Sequence, residues 1–224
     1  MKPGSENNLL WDRLEQVLAK HAPRILEELA PPAATTEINE TERLLGVSLP
    51  QDVRAAYLRH NGSIRSAVLG PTLFFEARWC SLEEVVACWS QKLRRAEVVG
   101  EGDHDNGLLP TWGPSWAKRF TRPEYWNSRW IPIGLNDVDC PLCVDLAPAG
   151  AGRCGQLIYV GNEGDGGVVK APGLSEYLSF IADCYESNRL SCDPDGRLID
   201  TSSPDGGLPV GATLRFYSAW PPPR

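Results

Sequence analysis

Cys140-Pro-Leu-Cys143 is the sharpest chemical pattern in the chain. A pair at this spacing can exchange disulfides or supply half of a zinc site. Exchange needs a first thiolate stabilised by positive charge or a helix start. Here Asp137 and Asp139 stand beside the pair instead, and negative charge raises a thiol pKa. Zinc would want a second pair, but only Cys154 and Cys192 follow, with no histidine at ligand spacing. Packed or turn-borne thiols are therefore expected, with no metal and no redox role.

The remaining candidates are weaker. Gly113-Pro-Ser-Trp-Ala117 echoes a nucleophile elbow, but Pro precedes the Ser and Ala closes the motif. The three histidines offer no triad partner: His21 and His60 fall near helix ends, where they balance the dipole, and His104 lies in an acidic loop. Gly161-Asn-Glu-Gly-Asp-Gly-Gly167 lacks the Lys-Ser/Thr ending of a phosphate loop and puts two carboxylates where phosphate would sit, so a hairpin turn is expected. Asp103-x-Asp105 and Asp193-x-Asp195 resemble calcium-loop fragments without the distal Glu, and read as turns. No catalytic constellation emerges from residue types and spacing, and neither a catalytic residue nor a cofactor is expected.

The elements that would position these residues follow from periodicity. Leu10, Leu14, Val17 and Leu18 predict a helix over 9–21, and Pro23 opens a second, short one. Thr36 is placed to cap a third helix ending at Gly46, and Pro50 starts a fourth that stops at Asn61-Gly62. Residues 64–79 read as a strand. Ser81-Leu-Glu-Glu84 is a capping box opening a helix to about Val98. Short β-branched or aromatic runs near 130–133, 143–146, 156–160 and 167–170 read as strands, followed by a helix over 174–189. The tail has a linker at 201–211 and one strand with Leu214, Phe216 and Trp220. Helices, then strands, then a closing helix predict an α+β fold with a mixed, mostly antiparallel sheet and helices packed on it. One domain over 8–190 is expected, with 191–224 as a C-terminal extension.

Composition narrows the partners. The 224 residues carry a net charge of -7, with 42% hydrophobic and 23% charged residues, an ordinary globular balance. An acidic chain argues against nucleic-acid binding, which depends on Lys and Arg neutralising phosphates. No run approaches the roughly 20 apolar residues of a membrane helix, and residues 1–12 hold no signal-peptide core, so the cytoplasm is the expected location. Seven scattered cysteines fit reduced thiols there.

Three phrases, in this order, resemble the SUKH superfamily. The first is Trp11-Asp-x-Leu14 with the Pro31-Pro32-Ala-Ala-Thr35 break. The second is Glu37-Ile38-x-x-x-Glu42-x-x-Leu45-Gly46-x-x-Leu49-Pro50-x-Asp52-x-x-x-x-Tyr57-x-x-x-Asn61-Gly62. The third runs through Tyr125-Trp126-x-x-x-Trp130-Ile131-Pro132-Ile133, Val144-Asp145-Leu146-x-Pro148 and Gly152-x-x-Gly155-Gln156-Leu157-Ile158. Together they cover about residues 9–185. The resemblance implies a binding protein and not an enzyme. In bacterial members that is an immunity protein, which occludes a cognate toxin domain of nuclease or deaminase type. The alternative is a non-enzymatic scaffold for cell-wall or signalling factors, as in the fungal members. Trp130 and Asp145 are expected to be architectural, with a ligand pocket as the other reading.

Charge suggests where a basic toxin would meet an immunity protein. Residues 133–206 hold twelve acids against four bases, a net of -8. Glu101, Asp103 and Asp105 lie near Trp112 and Trp116, and Glu163 and Asp165 lie in the glycine-rich turn. An aromatic anchor inside an acidic rim suits a tight interface, so these seven residues are the expected partner contacts. A solvated face is the plain alternative.

Overall fold

In the computed structural model the described residues are 3–64, 72–75, 77–102, 119–136, 139–161, 167–192, 198–201 and 208–209. Four helices come first: α1 (Pro3–His21), α2 (Pro23–Glu27), α3 (Thr35–Leu45) and α4 (Gln51–Arg59). β1 (Arg78–Trp79) leads into α5 (Leu82–Gly102). Then come β2 (Trp130–Leu135), β3 (Pro141–Asp145), β4 (Gln156–Val160), β5 (Gly167–Ala171) and α6 (Leu174–Glu186). Strands β1 to β5 form one open sheet in chain order, every pair antiparallel. The fold is α+β as expected, and β4 and β5 form a hairpin with Val160 opposite Gly167.

Strand alternation divides the core between two faces. Ile131, Ile133, Leu142, Val144 and Leu157 point into the larger cluster, where they meet α1–α4 and α6 through Leu14, Leu18, Ile38, Val53, Leu178 and Ile181. Trp130, Cys143, Ile158, Val160 and Val169 point the other way. There Trp126 joins them, with Trp89 and Leu93 of α5 packed alongside. Both faces are covered, which is why β3 reads as a continuous apolar run and not as an alternating strand.

Ends of helices follow the punctuation with one adjustment. Gly46 closes α3 in the left-handed region at φ 68°. The Ser81 amide donates to Glu84 Oε2 at 2.8 Å, and the Glu84 amide donates to Ser81 Oγ at 3.3 Å, completing the capping box. At α3, however, the cap position is Ala34, not Thr36. Alanine has no acceptor, so Glu37 reaches back to accept from the Ala34 amide at 2.6 Å.

Of the strand expected over 64–79, residues 64, 72–75 and 77–79 are described, and among these only Arg78–Trp79 is strand, beside an isolated bridge from Phe74 to Ala77. Phe75 sits at φ 58°, and the Thr72 hydroxyl donates to its carbonyl at 2.9 Å, so the chain turns where β-propensity suggested extension. In the tail, β6 (Leu190–Cys192), β7 (Leu198–Asp200) and β8 (Leu208–Pro209) form a second antiparallel sheet. β8 falls in the stretch expected to be linker, and its Pro209 sits on an edge strand, where the missing N–H is tolerated. Leu214, Phe216 and Trp220 lie outside the described residues.

Helix α6 starts without a side-chain cap of its own, since Gly173 occupies that position. Asp52 in α4 supplies it. Its Oδ2 accepts from the Leu174 amide at 3.0 Å and the Ser175 amide at 3.2 Å, across 122 and 123 residues of sequence. A carboxylate here satisfies two orphan donors and meets the positive end of the helix. Asp52→Ala is expected to lower stability by about 1–2 kcal/mol, with Asp52→Asn milder, read from urea unfolding midpoints.

Candidate functional site

The Cys-x-x-Cys pair straddles the start of β3. Cys143 is fully buried on the sheet face under α5, because alternation with Leu142 and Val144 sends it there. Burial pushes its thiol well above the ordinary range. Cys140 is half-buried in the β2–β3 turn, where its amide donates to Asn136 Oδ1 at 2.7 Å. Both are free thiols, one packed and one turn-borne. Burial also raises Cys88 to about 11 and Cys80 to about 12.

Asp145 and Trp130 face each other as register partners, and both are fully buried. Asp145 Oδ1 accepts from the Ala147 amide at 2.9 Å, and Oδ2 accepts from Gln156 Nε2 at 2.9 Å. Gln156 Nε2 also donates to the Phe120 carbonyl at 2.9 Å, while its Oε1 accepts from the Arg153 amide at 3.1 Å. Gly152 lies so close beneath Phe120 that a Cβ would stand 2.2 Å from the Phe120 oxygen. This network ties the segment at 119–121 to the β3–β4 connection. It is a brace that gives Asp145 an architectural role, while Trp130 packs into the cluster beside Trp126 and α5.

Burial raises the Asp145 pKa, and its donors only partly offset that. The sign follows. A raised folded value means a contribution to stability that is complete below the unfolded value of about 3.9 and is lost as pH rises through the folded value. Asp145→Asn places an amide N–H against the Gln156 donor and should cost about 1–3 kcal/mol. The difference from the parent chain should narrow as pH rises from about 3 through the folded value, as read from denaturant melts across that range.

The other polar residues of the resembling phrases have similar roles. Glu42 Oε1 accepts from the Leu49 amide at 2.7 Å, and its Oε2 pairs with Arg54, fixing the α3–α4 connection. Tyr57 donates to the Cys80 carbonyl at 3.0 Å. Asn61 Oδ1 accepts from the Leu82 amide at 2.9 Å at the start of α5. These placements, with Asp52 on α6, are what residue types alone did not disclose. A run of acids and amides seven to twelve positions apart signals long-range caps as readily as a reaction centre.

The expected partner contacts are not gathered into a described site. Glu101 lies in the last turn of α5. Asp103, Asp105, Trp112, Trp116, Glu163 and Asp165 lie outside the described residues, as does Ser115. Among the described residues no cluster of His, Cys, Asp and Glu could hold a metal, and no helix is long and apolar enough to cross a membrane. An open groove of about 680 Å³ does run between α3 and α5. It is lined by Glu37, Glu40, Thr41 and Leu44 on one wall and by Leu82, Glu83, Val86 and Ala87 on the other.

The profile of the SMI1 / KNR4 family (SUKH-1) matches residues 32–179. Curated relatives include "KNR4/SMI1 homolog 2" of Debaryomyces hansenii, 28% identical over 90% of this chain and 40% of its own length. The "Glucan synthesis regulatory protein" of Neurospora crassa is 24% identical over 83% of this chain and 39% of its own. The "Cell wall assembly regulator SMI1" of Saccharomyces cerevisiae is 27% identical over 91% of this chain and 45% of its own. The chain thus spans less than half the length of these relatives. They correct the reading as a bacterial immunity protein with a basic toxin as partner: the relatives are fungal and are named as regulators of cell-wall and glucan synthesis. With most of its length under that profile, the chain belongs to the SMI1 / KNR4 family (SUKH-1).

Proposed function

We propose that this chain is a non-enzymatic regulatory domain that acts by binding cell-wall or signalling factors, in the cytoplasm. The observation that carries this reading is how the family's polar residues are used. Glu42, Asp52, Tyr57, Asn61, Asp145 and Gln156 each hydrogen-bond to the backbone or to one another. These side chains are spent on holding a rigid platform, which leaves specificity to the exterior. The relatives' names as cell-wall and glucan-synthesis regulators support the same direction.

A domain exchange tests it. The matching segment of the Saccharomyces cerevisiae relative is replaced by this chain, and glucan content and growth under cell-wall stress are measured. Restoration to at least half the parental level is expected. A stably expressed chimera that restores neither would overturn the reading.

A further inference from the structure

We propose that the groove between α3 and α5 docks an amphipathic helix of a partner protein that carries Lys or Arg beside its apolar face. The proposal deepens the regulatory reading by naming the contact surface and the chemistry of what it takes.

Both walls are helical stripes. Glu37, Thr41 and Leu44 lie at spacings of four and three on α3, and Leu82, Val86 and Ser90 at spacings of four on α5. A third helix can set its own ridges between such rows, in the manner of helix-in-groove recognition. At 11 residues, α3 gives a wall of roughly 16 Å, or three turns of a visitor. Leu44 is 47% exposed, although it sits in a helix that buries Ile38 and Leu45 on its other side. The floor holds Thr41, which is 95% hidden.

Charge selects the visitor. Glu37, Glu40 and Glu83 line the groove, and among the described residues no Lys, Arg or His does. Glu37 already accepts from the Ala34 amide, and Glu40 pairs with Arg43 at 2.6 Å. Counting Arg43, the rim still carries more negative than positive charge. Cations flanking apolar anchors would therefore be steered in and held in register.

A library of random 16-residue peptides displayed on phage is selected against the whole chain. Synthetic copies of enriched peptides are then measured by fluorescence anisotropy and circular dichroism. Expected are peptides of net positive charge with two or three large apolar residues at helical spacing, gaining helicity when bound. Ala87→Trp should weaken them at least tenfold. Glu40→Lys with Glu83→Lys should weaken them about fivefold at low salt, and Glu6→Lys on α1 should leave them unchanged. All three variants alter exposed positions, and unchanged melting curves confirm their fold.

Undiminished binding to Ala87→Trp, enrichment of acidic or extended peptides, or no enrichment would overturn the proposal. So would sedimentation showing a second copy of the chain in the groove, as a dimer that Ala87→Trp dissociates. A domain exchange that fails while basic peptides still bind the groove would count against the regulatory reading alone.

Discussion

Trp79→Ala is expected to lower stability by about 3–5 kcal/mol, the range for emptying a large aromatic site that cannot collapse. Trp79 is 1% exposed and stands at the centre of an aromatic cluster. Its ring stacks on Trp11 at 5.5 Å and 16°, and it lies 5.4 Å from Tyr57 and 5.8 Å from Phe74. α1, α4 and the edge strand β1 therefore share one contact. The loss would be felt in all of them, so urea unfolding should stay a single transition with a lower midpoint and an unchanged slope. Trp79→Phe keeps part of the stack and should cost less than half as much. Equal midpoints for the alanine variant and the parent chain would show that the cluster contributes nothing.

Gly62→Ala should cost roughly 3–5 kcal/mol, which places it among the few severe single changes. Two effects combine. Gly62 lies at φ 80°, where an L side chain is strained. A Cβ there would also stand 2.6 Å from the Cys80 carbonyl carbon and the Ser81 nitrogen. Those are backbone atoms at the entrance to α5 and cannot swing aside. Gly46→Ala separates the two contributions. Its φ of 68° imposes similar strain, but nothing lies within 4 Å of the added atom. It should therefore cost only about 1–2 kcal/mol. Thermal melts of both variants, run side by side, decide whether crowding dominates; equal losses would show that it does not.

Helices and the strand series were legible because their signals are local. Leu14 and Leu18, the Ser81–Glu84 box and Gly46 each state their role within one or two turns of chain. What was not legible depended on partners far away in sequence. Asp52 looks like any first-turn acid, and only the arrival of α6 reveals two amides for it to accept. Phe75 has high β-propensity, yet a positive φ and the Thr72 hydroxyl turn the chain there. Cys143 was expected to be packed or turn-borne, and only the alternation of β3 decides for the buried face under α5. On the side of function, the charge count in 133–206 was real but did not identify a partner. Asp139 bonds Lys92 at 3.0 Å, Asp183 bonds Arg13 at 2.5 Å, and Asp145 is buried. An acid counted in a sequence can be paired or buried in the fold.

The bond from Asp52 to the start of α6 has a consequence during synthesis. Ribosomes extend a chain at about 5–20 residues per second, so the 122 residues between Asp52 and Leu174 take roughly 6–25 s to emerge. α1 waits longer still, since Arg13 pairs with Asp183 and Glu186 of that last helix, 170 and 173 residues on. For those seconds, the apolar surface of α1 and α4 that α6 will cover lacks that partner. Nascent chains stalled before residue 174 should therefore recruit holding chaperones, and chains released past residue 190 should shed them.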